Sequence, residues 1–225
     1  MNDVDQITTL ARTISGNSWV ASGLSVAGGL SALDSHMTPT SALSSANLGW
    51  LTSFVKPLED ALGRMTGKAS VIQTFATAWQ QVSTKVNQIQ QQHAGAAKAD
   101  TARWQGTAAD SYRSRAAEVT AALQRISALA GATSSATTTV GQAVAAGRQQ
   151  ANNLVTQLVQ RLIPLVTQAT ALSGGLTPAV LAQATSLINT CAKSVATIEQ
   201  QIQQTTTNLR PLLNGIAAAT TAGKS

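Results

Sequence analysis

Ala102-Arg103-Trp104-Gln105-Gly106-Thr107-Ala108-Ala109-Asp110-Ser111-Tyr112 decides how this chain folds, because a turn signal, a helix start and a large aromatic side chain coincide there. Glycine reaches positive φ without the cost of a Cβ, so Gly106 marks a reversal. Thr107 follows as an N-cap, and Thr107-x-x-Asp110 has capping-box spacing, with Asp a shorter partner than Glu. The stretch reads as the hinge of a helical hairpin that holds Trp104 at its bend.

Both arms of the hairpin show in the apolar spacing. From Ser70 onward, Ile72, Phe75, Trp79, Val82, Val86, Ile89 and His93 recur at steps of three and four, a heptad seam expected to run to about Ala99. Such a helix needs a partner for its stripe. After the hinge, Tyr112, Ala116, Val119, Leu123, Ile126 and Ala130 repeat the pattern. The two seams are expected to face each other, with Phe75 and Trp79 in the core.

Further on, the pattern weakens over Gly131 to Thr139 and resumes from Val140 to Leu165. Pro164 is expected to kink that helix, and Ser173-Gly174-Gly175 to stop it. Thr177-Pro178, a capping hydroxyl before a proline, starts a last helix expected to end near Gly215. The first arm is expected to cover the near half of the long helix and the last helix its far half.

Upstream of the hairpin, Val4, Ile7, Leu10, Ala11 and Ile14 suit a short amphipathic helix. Residues 15–47 are rich in Gly and Ser and read as loose chain, with a helical turn or two around Leu30 to Ser35. His36 reads as a surface residue. Trp50, Phe54, Leu58 and Leu62 form a lead-in stripe that Pro57 bends or begins, ended by Gly63 and Gly67. The expected organisation is a flexible or loosely helical arm (1–47), a lead-in helix (48–69), the hairpin (70–131), a C-terminal helical extension (132–215) and a disordered tail (216–225). The fold class is all-α: an elongated antiparallel bundle built on a helical hairpin, with additional C-terminal helices.

Composition narrows the function. The 225 residues are 44% hydrophobic but only 3% aromatic and 11% charged, less than half the usual charge density of globular domains. Net charge is +6, but the cations are scattered. The densest set, Lys98, Arg103, Arg113, Arg115 and Arg125, is interrupted by Asp100, Asp110 and Glu118, which suits a solvated face and argues against nucleic acid as a partner. The single Cys191 has no second cysteine to pair with and sits on an apolar stripe. His93 has no other His or Cys at helical spacing, so no metal site is expected. Asp110 and Glu118 suit capping and solvation, and Gly28-Gly29 lacks the Gly-Lys-Ser/Thr of a phosphate loop. No cofactor and no enzymatic activity is expected. The acidic Met1 to Asp5 segment is unlike a signal peptide, and no run approaches the length of a membrane span.

The stretch from Ala102 to Arg113 resembles the helical-hairpin proteins that carry a Trp-x-Gly bend and leave actinobacteria through type VII secretion systems; the likeness covers about residues 70–131. The lead-in from Gly49-Trp50 to Gly67 looks like that of the long members. The resemblance implies a protein made in the cytoplasm and delivered to the envelope or medium without a cleavable signal. It would pair with a homologous hairpin or with itself, and engage the secretion machinery. It also implies a recognition role for Trp104 and Gly106, compatible with Trp104 also plugging the hairpin. In that family the bend tryptophan acts with a Tyr-x-x-x-Asp/Glu motif; here the only tyrosine, Tyr112, is followed four positions on by Ala116. The second half of the signal would come from a partner chain, or the chain is not exported by that route. An alternative from the residues alone is a bundle that inserts amphipathic helices into lipid.

Overall fold

The computed structural model describes residues 3–26, 29–34, 38–46, 48–173 and 177–222. Among them the chain forms α-helices and two short 3-10 turns, with no strand: α1 (Asp3–Ser15), α2 (Pro39–Ser45), α3 (Thr52–Arg64), α4 (Ala69–Asp100), α5 (Thr107–Ser173) and α6 (Pro178–Ala222), with the turns at Leu30–Asp34 and Gly49–Leu51. The fold is an all-α helical bundle. His36, the Gly174-Gly175 stop and the last three residues of the expected tail lie outside the described residues.

The chain divides into two compact units, and α5 and α6 each contribute to both. The first unit comprises residues 1–20, 70–140 and 205–225. In it α4 and the first half of α5 form the hairpin, and α1 and the end of α6 pack on α5. Its core gathers Ile7 and Ile14 of α1, Trp19, Ala132 and Ala136 of α5, and Leu209, Ile216 and Ala219 of α6. Burial of Ile216 and Ala219 explains why α6 runs to Ala222 where the sequence suggested an end near Gly215 and a disordered tail. At the far end of α1, Asn17 takes φ 58°, a conformation asparagine tolerates. Its Oδ1 accepts from Thr139 Oγ1 at 3.0 Å, while the Trp19 indole donates to the Ile14 carbonyl at 2.9 Å.

The second unit comprises residues 21–69 and 141–204. Its core joins Leu43 of α2 and Val55, Leu58 and Leu62 of α3 to Val155 and Leu162 of α5 and Ile188 and Val195 of α6. The lead-in helix forms as expected, but its buried stripe is Leu51, Val55, Leu58 and Leu62, with Trp50 half-buried and Phe54 exposed. The 15–47 segment is more ordered than its composition suggests. It holds the expected turn at Leu30–Asp34 and also α2, because Leu33 and Leu43 are buried. Arg148 of α5 ties this segment down: the residue is 2% exposed and its Nη1 donates to the Leu33 carbonyl at 2.7 Å. Burial pulls the guanidinium below its ordinary pKa, and Asp34 acts in the opposite sense.

α5 crosses Gly131 to Thr139 without a break. Three of the threonines there satisfy their hydroxyls inside the helix, Thr133 donating to the Leu129 carbonyl at 2.9 Å, Thr137 to the Thr133 carbonyl at 2.8 Å and Thr138 to the Ser134 carbonyl at 3.1 Å, while Thr139 reaches out to Asn17. Pro164 and Pro211 likewise lie inside helices, each removing one backbone donor. α6 starts where expected, Thr177 capping it with its hydroxyl near the Val180 N–H at 3.4 Å.

Candidate functional site

The hairpin seam is displaced by one row from the sequence expectation. On α4 three parallel rows repeat every seven residues: Phe75, Val82 and Ile89; Ile72, Trp79, Val86 and His93; Ala76, Ser83, Gln90 and Ala97. On α5 the matching rows are Tyr112, Val119 and Ile126; Ala109, Ala116, Leu123 and Ala130; Arg113, Thr120, Ser127 and Ser134. The arms meet along the second and third rows. Ser83 Oγ donates to the Ser127 carbonyl at 2.9 Å, Ser127 Oγ to the Ser83 carbonyl at 3.0 Å and Ser134 Oγ to the Ala76 carbonyl at 2.7 Å. Each uses a lone pair that the helix's own N–H leaves free. His93 Nδ1 lies 3.3 Å from Thr120 Oγ1 in the same seam.

Small side chains let the two backbones come this close, which is why the seam lies among Ala and Ser. The consequence is a correction to the expected seam. Phe75, Val82, Ile89, Tyr112, Val119 and Ile126 do not face the opposite arm, and each remains between 41% and 52% exposed. Ile72, Trp79, Val86 and Leu123 are half-buried, and Ala116 is buried.

The two outer rows share one face of the hairpin. Val82 and Ile126 each precede a seam serine by one residue, and in antiparallel helices equal offsets fall on the same side. The opposite side carries α1, whose Arg12 and Ser15 line a pocket with Gln80 and Asn87 of α4 and Gln124 and Ala128 of α5. The uncovered face therefore presents two heptad rows of large apolar side chains. Their exposed area is roughly 500 Å², comparable to the largest apolar patch on a typical monomer.

The hinge stands at one end of this face. Gly106 has φ 94°, and its carbonyl accepts the Asp110 N–H at 3.2 Å. Gly106 thus occupies the N-cap position, one place before the expected cap, and Thr107 is the first helical residue. The Asp110 carboxylate accepts from Arg113 Nη1 at 3.1 Å. Trp104 is 52% exposed and packs against Tyr112, ring centroids 5.7 Å apart and planes inclined by 55°. Trp104 therefore does not plug the hairpin but projects beside it.

Arg113, which the sequence placed only within a basic set, spans the hinge. Its Nη2 donates to the carbonyls of Thr101 at 2.7 Å and Trp104 at 2.8 Å, and its Nε to Thr101 Oγ1 at 3.3 Å. An arginine soon after a reversal can reach the bare carbonyls that end the preceding helix, a signal available in the sequence. Glu118 pairs with Arg115 at 2.7 Å on the surface. Cys191 is buried in the second unit, and burial pushes its thiol up. No known protein family, no curated protein and no solved structure matches the chain.

Proposed function

We propose that this chain is a non-enzymatic substrate or accessory of a type VII secretion system, made in the cytoplasm and delivered to the cell envelope or medium, and that it works by helix-to-helix pairing. The observation that carries the reading is the uncovered face of the hairpin, with Phe75, Val82 and Ile89 on one arm and Tyr112, Val119 and Ile126 on the other. A stable interface takes about 800 Å² from each partner. The two outer rows supply more than half of that, and the half-buried row beneath them supplies more. The pattern of the face, heptad rows on two antiparallel arms, fits a second helical hairpin: a homologous partner or another copy of this chain. Trp104 and Gly106 stand at its end, where the Trp-x-Gly bend supports recognition by the machinery.

Export tests the reading. The tagged chain and its Trp104→Ala variant are expressed in an actinobacterial host with its type VII system intact or disabled. The reading expects wild type in the medium only when the system is intact, and Trp104→Ala retained in the cell. Secretion indifferent to both would reduce the bend to a structural turn.

The same apolar face also favours a second reading, a bundle that enters lipid. Its flanks carry few cations, among them Lys85 and Arg115, and the polar positions are mostly Gln, Thr and Ser, so attraction to anionic lipid would be weak. Leakage of dye from anionic vesicles at neutral and acidic pH would favour that reading over pairing.

A further inference from the structure

We propose that Arg113 is the positioning residue of the hinge: its guanidinium locks the turn so that the Trp104–Tyr112 ring pair is presented as one rigid, outward platform. The inference rests on the export reading for what the platform is for, but its geometry stands alone.

At the end of α4 the Thr101 carbonyl has lost its helical donor. It is satisfied twice, by the Trp104 N–H at 3.0 Å and by Arg113 Nη2 at 2.7 Å. The same Nη2 holds the Trp104 carbonyl at 2.8 Å, so one nitrogen fixes both ends of the Thr101-Ala102-Arg103-Trp104 turn. Nε reaches Thr101 Oγ1, itself donating to the Ala97 carbonyl at 2.7 Å. On the other side Nη1 is held by Asp110 at 3.1 Å. Arg113 follows Tyr112 directly on α5, so the helix that carries the second ring also carries the clamp on the first. Both rings stay exposed, while the backbone beneath Trp104 is pinned to α5. A planar fork with several fixed donors can make all these contacts together; a lysine ammonium on a flexible stem cannot.

The test measures the hinge and export separately, in the full-length chain, for wild type, Arg113→Ala, Arg113→Lys and Trp104→Ala. Hydrogen exchange is followed at the Trp104 amide, with the arms of α4 and α5 as internal reference. The expected result is at least tenfold faster exchange at Trp104 in both Arg113 variants, with protection along the arms unchanged. Export should fall about tenfold in both, and Arg113→Lys should not rescue it. Unchanged exchange at Trp104 in the Arg113 variants would overturn the clamp. Faster exchange with export equal to wild type, while Trp104→Ala is retained in the cell, would overturn its role in presentation. Normal export of Trp104→Ala would sink the export reading itself, and the exchange data would then still decide whether Arg113 holds the hinge.

Discussion

Replacing Val82, Ile89, Val119 and Ile126 together by glutamine separates the two possible placements of the hairpin seam. Were these four side chains the core between the arms, each substitution would remove a buried aliphatic group and bury an amide, at about 2–5 kcal/mol apiece. Their sum would match or exceed the whole stability of a typical domain, about 5–15 kcal/mol, and the protein would not fold. The structure places all four outside, at 41%, 52%, 45% and 46% exposure. Glutamine is as good a helix former as isoleucine or valine, or better by a few tenths of a kcal/mol, and keeps an aliphatic stem over the row beneath. The melting temperature followed by circular dichroism should therefore move by less than about 4 °C, the shift that about 1 kcal/mol produces in a chain of this size. Association should respond strongly. The four residues expose roughly 300 Å² of apolar surface, worth about 7 kcal/mol if fully buried by a partner. Even a third of that weakens pairing by more than about thirtyfold. Sedimentation velocity over a concentration series, alone and with a co-purified partner hairpin, would read the change. An unfolded variant would refute the outward placement; a folded variant with unaltered association would refute the use of this face.

Two further perturbations address the second unit. A Cβ on Gly147 would lie 2.9 Å from Ile202 Cδ1 and 3.0 Å from Ile198 Cγ2, so Gly147→Val should cost about 2 kcal/mol in urea unfolding, with Ile202→Ala recovering part of the loss in a double-mutant cycle. Independent, additive losses would contradict that close approach. Burial raises the Cys191 thiol above its ordinary pKa, so the folded state holds this proton more tightly than the unfolded one. The stability it contributes is complete below the unfolded thiol's value and declines as pH rises through it, from about pH 8.5 upward. Cys191→Ala should flatten that decline in a comparison of urea midpoints between neutral and alkaline pH, and an identical decline in both proteins would count against burial of the thiol.

The hinge, the two arms and the Thr177-Pro178 helix start were legible because each rests on local chemistry: a glycine at positive φ, heptad spacing, a capping hydroxyl before proline. The seam was misplaced because large apolar residues dominate a periodicity reading, whereas two helices approach most closely where side chains are small. Ala76, Ser83, Ser127 and Ser134 bond across the hairpin through backbone carbonyls, which no hydropathy pattern reveals. The same one-row displacement recurs in the lead-in helix, where Leu51 and Val55 are buried in place of Trp50 and Phe54. Order within 15–47 and at the end of α6 depends on contacts distant in sequence. Arg148 holds the Leu33 carbonyl, and Gln201 Nε2 donates to the Ser22 carbonyl at 3.0 Å. Ile216 is buried in the core built with α1. Arg113 was visible as a charge, but its three acceptors at the hinge depend on how the turn closes.

The central claim, that the outer rows of the hairpin are a pairing face, is tested most directly by photo-crosslinking in the host cell. A photoreactive amino acid is placed at position 89 on the outer row of α4, at position 119 on that of α5 and, as control, at exposed Gln92 beyond the α4 row. The account predicts one crosslinked product from positions 89 and 119, identified by mass spectrometry as a second helical hairpin or another copy of this chain, and far less from position 92. No product from 89 and 119, or equal yields from all three sites, would contradict it.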